Sequence, residues 1–99
     1  MTEKEIEFKN AVDDLLKIYN ELGLIFPRLI QMFANEPDNY VGVAKRLVNS
    51  FDVTTGYIKL LEKSRLDLSI ESLVADDSRW GNLFEKETYR NAKQKILSS

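Results

Sequence analysis

The 99-residue chain has no cysteine and no histidine, and it holds only two prolines and four glycines. Without cysteine, a disulfide framework, a thiolate zinc site and a cysteine nucleophile are excluded. Without histidine there is no imidazole metal ligand and no serine–histidine dyad. The glycines are scattered, so no glycine-rich phosphate loop can form. Long apolar runs are also missing: the longest, residues 22–26, is far short of the roughly 20 residues that span a bilayer. The acidic pairs Asp13-Asp14 and Asp76-Asp77 lack a third ligand at helical spacing and read as solvated surface. Nothing in this inventory supports an enzyme, and no metal or cofactor is expected. The chain starts with alternating charges, unlike a secretory signal, so a reducing, cytoplasmic location is expected.

What is present fits one soluble globular domain covering residues 1–99: 43% hydrophobic and 30% charged side chains give enough apolar surface for one core. The net charge of −2 hides an asymmetry. Residues 1–38 carry four basic and eight acidic side chains, whereas residues 39–66 carry Lys45, Arg46, Lys59, Lys63 and Arg65 against Asp52 and Glu62. The positive charge is therefore concentrated centrally, as on a surface that faces a polyanion or on an ordinary solvated helix face.

Helical periodicity dominates the first two thirds. Phe8, Val12, Leu15, Tyr19 and Leu22 recur at 4-3-4-3 spacing, which predicts an amphipathic helix over 3–22, with Ala11 and Ile18 widening its stripe. Gly23 supplies the stop. Pro27 suits the first position of a helix over 27–35, with Phe26, Leu29, Ile30 and Phe33 inward. Asp38 or Asn39 can cap a helix that buries Val43, Ala44 and Leu47. After a polar run, Asp52 can open another helix bearing Tyr57, Ile58, Leu60 and Leu61, so residues 39–64 read as helix–turn–helix.

The period then changes. Leu66, Leu68 and Ile70 alternate with Asp67, Ser69 and Glu71, which predicts a strand, with Asp76-Asp77-Ser78 as the tip of a hairpin within 66–84. The rival reading is helical, with Ser69 capping a short turn. Trp80, the single tryptophan, fits a core or interface anchor. A last helix over 85–97 carries Tyr89, Ala92, Ile96 and Leu97.

Residues 33–68 resemble, without gaps, the helix-turn-helix of winged-helix regulators of the MarR and ArsR kind. Ala44 and Leu47 match the packing pair of the first motif helix, Asp52 the cap, Tyr57-Ile58 and Leu61-Glu62-Lys63 the recognition helix, and Asp77-Ser78-Arg79 the wing tip. Val48 stands where that family usually carries glycine, and the front of the recognition helix has no arginine.

The resemblance implies a mainly α fold with a small β-hairpin wing, acting as a sequence-dependent, double-stranded DNA-binding regulator of transcription. Thr54, Thr55 and Tyr57 would then lie nearest the bases, and Lys59, Lys63, Arg79, Lys45 and Arg46 would meet phosphates. It also implies a homodimer. Phe8, Ala11, Val12, Leu15, Ile18 and Tyr19 on the first helix, with Tyr89 and Ile96 on the last, form the expected interface. The alternative is an all-α helical bundle serving as a protein-interaction module, an inhibitor, adaptor or immunity-type protein without DNA binding. Residues 66–70 separate the two: strand there supports the wing, helix there supports the bundle.

Overall fold

A computed structural model describes residues 1–50 and 55–97. Helix α1 (Glu3–Glu21) opens with a capping box: the Thr2 hydroxyl accepts from the Glu5 amide and the Glu5 carboxylate accepts from the Thr2 amide, both at 3.2 Å. Its buried face is Phe8, Val12, Leu15 and Tyr19, the stripe set by the sequence spacing. The end is a Schellman turn. Gly23 takes φ +72°, its amide donates to the Asn20 carbonyl, and the Leu24 amide donates to the Tyr19 carbonyl at 2.8 Å. That turn sends Leu24 and Phe26 inward and leaves Ile25 in solvent.

Helix α2 (Pro27–Asn35) begins with proline at its first turn, where no amide donor is lost. Helix α3 (Tyr40–Asn49) is capped by Asn39, whose side chain accepts from the Gly42 amide, and buries Val43, Ala44, Leu47 and Val48. Helix α4 (Thr55–Glu62) follows, so the helix order expected over 39–64 is present on either side of residues 51–54. The Asp52 cap lies outside the described residues. Helices α5 (Ile70–Val74), α6 (Asp77–Trp80) and α7 (Lys86–Leu97) complete the chain, with 3-10 turns at Leu66–Leu68 and Gly81–Leu83.

Residues 66–84 therefore contain no hairpin, which corrects the expected wing. The alternation fails because two of its three polar members are buried as deeply as its apolar ones: Ser69 is 1% exposed and Glu71 is 6%, while Asp67 alone stays in solvent. Ser69 accepts from the Ser72 amide at 3.0 Å and its hydroxyl donates to the Leu66 carbonyl at 2.7 Å, which starts a helix rather than extending a strand. The supposed tip is the start of α6, and Trp80 turns back to donate from Nε1 to the Leu73 carbonyl at 2.7 Å. Among the described residues there is no strand. The fold is all-α.

Helix α3 is the centre: it packs against α1, α5 and α7, and α5 also packs on α7. One end of the core is aromatic, with Phe8 edge-on to Trp80 and to Phe84 at 5.0 and 5.2 Å. The other end is closed by Tyr19 against Phe26 at 4.9 Å. Phe8 and Tyr19 are eleven residues apart on α1, so these ends lie about 16 Å apart along its axis. Among the described residues no helix is long and apolar enough to cross a membrane.

Candidate binding cleft

At the Tyr19–Phe26 end, a cleft of about 400 Å³ opens between the start of α2, the end of α3, α4 and the start of α5. Tyr19, Phe26, Leu47, Leu60 and Ile70 form its apolar interior, and all five are buried. Arg28, Arg46 and Lys59 stand exposed at its edge. The Schellman turn and Pro27 build one wall, because they place Phe26 inward two residues ahead of Arg28.

The rim cations differ in their partners. Arg46 is ion-paired with Glu36, and this hydrogen bond, with a second from Asn39, holds the Glu36 carboxyl below the usual range. Lys59 lies over the Phe26 ring, 5.9 Å from its centroid. Arg28 makes no ion pair or hydrogen bond among the described residues.

The floor is polar and tied down. Glu71 Oε2 is 3.4 Å from Lys95 Nζ, which also donates to the Leu47 carbonyl at 2.9 Å. The Tyr57 hydroxyl donates to the Lys95 carbonyl at 2.7 Å, and the Tyr19 hydroxyl donates to the Leu68 carbonyl. Burial, with the Glu71 charge adding to it, pushes the Tyr19 phenol well above its ordinary value. No described side-chain nitrogen or oxygen that is sealed from solvent lacks a hydrogen bond. Glu71 lines the cleft; its second carboxylate oxygen has no hydrogen-bond partner among the described residues and is not sealed from solvent.

The residues expected to grip DNA do not assemble as one surface. Tyr57 is buried and faces α7. Lys45 pairs with Glu85 at 3.0 Å and Arg46 with Glu36, so their charges are partly neutralised. Arg79 stacks over Trp80 at 4.4 Å, at the far end of α1 from Lys59 on Phe26. Lys63 is exposed just past the end of α4, and Thr55 is the first residue of that helix. Thr54 lies outside the described residues. Of the apolar residues on α4, Ile58 and Leu61 stand in solvent, 43% and 41% exposed.

The expected dimer face is also redistributed. Phe8, Val12, Leu15, Tyr19 and Tyr89 are buried in the chain's own core, and Ala11 and Ile96 are half-buried. Ile18 alone of that set is exposed, at 37%. The apolar stripe of α1 is thus buried within the chain, against α3 and, through Phe8 and Trp80, against α6.

Sequence reasoning missed Arg28 and Glu71. Glu71 was hidden by the alternating pattern, which assigns it to solvent. Arg28 carried a usable signal, a cation directly after a helix-starting proline and beside Phe26. Among the described residues no group of three or more potential ligands could hold a metal ion. No protein-family model matches the chain, and no curated protein or solved structure is significantly similar to it.

Proposed function

We propose that this chain is a small helical interaction module that captures an anionic, partly apolar partner non-covalently in the cleft between α2, α3, α4 and α5. The observation that carries this reading is the pairing of an apolar interior with exposed Arg28 and Lys59 at its mouth. Apolar burial supplies affinity, and a cationic rim selects the sign of the charge. The helical course of residues 66–74 supports a bundle over a winged regulator. The ion pairs at Lys45 and Arg46, and the distance between Arg79 and Lys59, weigh against a continuous phosphate-gripping face.

The aromatic sulfonate dye 8-anilinonaphthalene-1-sulfonate is a suitable probe, because it combines an apolar body with one negative charge. It is expected to bind at one site and brighten. The doubly reversed variant Arg28→Glu/Lys59→Glu is expected to lose about tenfold in affinity, while Arg79→Glu leaves it unchanged. A retained near-ultraviolet signal from Trp80 excludes dye binding to a loosened core. Random duplex DNA is expected not to bind at about 50 mM salt, where phosphate contacts are strongest. Salt-sensitive duplex binding that is lost in Lys63→Glu would overturn the reading in favour of DNA.

A further inference from the structure

Resting on that reading of the cleft, we propose that its ligand is a small aromatic carboxylic acid whose ring carries an N–H or O–H donor. The donor meets Glu71 at the floor, and the carboxylate meets Arg28 and Lys59 at the rim.

The inner end sets the first requirement. Glu71 lines the cleft and is 6% exposed, yet one of its carboxylate oxygens has no hydrogen-bond partner among the described residues and is not sealed from solvent. A buried carboxylate oxygen is a strong acceptor that loses its water when the cleft fills, so an occupant without a donor leaves it unsatisfied. That donor is neutral. Lys95 already stands 3.4 Å from the other oxygen, and a cationic head would be set against its charge. The two nearby phenols do not take the donor's place, since the hydroxyls of Tyr19 and Tyr57 are both spent on backbone carbonyls.

The body of the ligand follows from the walls. Tyr19, Phe26 and Tyr57 line the cleft, and a flat ring gains edge and face contacts with them that a flexible chain does not. The outer end follows from charge. Arg46 is engaged by Glu36, which leaves Arg28 and Lys59 as the cations open to a ligand, and one carboxylate matches them.

Size separates a small molecule from a protein segment. The volume of about 400 Å³ lies within the roughly 300–1,000 Å³ of small-molecule sites. The exposed apolar pair Ile58 and Leu61 leaves α4 on the flank opposite Lys59 and Lys63, so it does not extend the cleft into a broad interface.

Displacement of the bound dye tests this with two acids that differ by one methyl group. 3-(Indol-3-yl)propionate is expected to displace the dye, and its 1-methyl analogue, which lacks the N–H, to do so about tenfold less well. In the double variant Glu71→Met/Lys95→Met, which leaves no lone buried charge, the two acids are expected to compete equally. The uncharged amide of the parent acid is expected to compete poorly with wild type. Equal competition by the two acids in wild type overturns the assignment of Glu71, and an amide as good as the acid overturns that of the rim. Either result leaves the cleft standing as a binding site if the dye still depends on Arg28 and Lys59. Failure of the dye itself to bind overturns the cleft as an anion site, and this proposal with it.

Discussion

Among the described residues, Ser64 is the one non-glycine residue with a positive φ. Helix α4 ends in a second Schellman turn: the Ser64 amide donates to the Leu61 carbonyl and the Arg65 amide to the Leu60 carbonyl at 2.8 Å. Ser64 holds φ +57°, which glycine adopts freely and an L side chain does not. Ser64→Gly is therefore expected to stabilise the protein by about 0.5–1 kcal/mol, read as a shift in the urea midpoint at constant slope. Gly23→Ala, at φ +72°, is expected to destabilise by a similar amount, since nothing crowds that position and the conformation alone decides. The sequence marked Gly23 as a stop, but Ser64 carries no such mark. Its turn is imposed by the packing of α4 against the Leu66–Leu68 turn.

Tyr40 shows a titration with a definite sign. Burial, then the hydrogen bond its hydroxyl donates to Asp13 at 2.9 Å, push its phenol up to about 12. The folded state thus favours the protonated phenol. The contribution is complete below the ordinary tyrosine value near 10 and is lost as pH rises through about 12. Thermal melts between these values are expected to show falling stability that is reduced in Tyr40→Phe. A melting temperature of Tyr40→Phe that follows the wild-type pH profile throughout would count against this coupling.

At the scale of elements, long periodic helices were legible and the short ones were not. α1 and α2 begin and end, and α7 begins, within one residue of the expected bounds, because stripe, proline and glycine agree. The stretch over 66–84 misled because Leu66, Leu68 and Ile70 satisfy a two-residue period as well as a turn followed by a helix. The deciding contact is local: Ser69 bonds to both Leu66 and Ser72, and sequence spacing alone does not reveal which option the chain takes. Ser69→Ala is expected to cost about 1 kcal/mol through the lost cap. It removes the hydroxyl's bond to the Leu66 carbonyl as well. Far-ultraviolet circular dichroism should remain helical in that variant; a gain of strand signal would mean that the cap, rather than packing, selects helix here.

For the whole molecule, burial revises the expectation of pairing. The stripe on α1 was expected to serve a dimer face, yet Phe8, Val12, Leu15 and Tyr19 are all buried within the chain. Sedimentation at tens of micromolar is expected to give one species of the monomer mass, 11.5 kDa; a stable dimer would restore the role of Ile18 and its neighbours. Of the cleft, Tyr57, Lys59 and Arg46 were singled out from sequence, but as parts of a DNA face. Their common neighbour is formed by α2 and α5, which lie up to 32 residues away along the chain, and periodicity carries no information about that meeting.

The surface ion pairs give the molecule its acid response. Asp77 is held low by the hydrogen bond and charge of Lys93, and Asp67 likewise by Arg65. With folded values below the unfolded ones, these contributions are present above the ordinary carboxylate value near 4 and vanish as pH falls through the lower folded values. Because the pairs are exposed, the loss is expected to be small and weakened by salt.

The most direct measurement is a pair of nitrogen-15 NMR titrations, one with 3-(indol-3-yl)propionate and one with random duplex DNA at about 50 mM salt. The cleft reading predicts that the acid shifts amides of Phe26, Leu29, Leu47, Leu60 and Ile70 and that DNA shifts none. Amide shifts from DNA centred on Thr55, Lys59 and Lys63, with the cleft residues silent toward the acid, would contradict it.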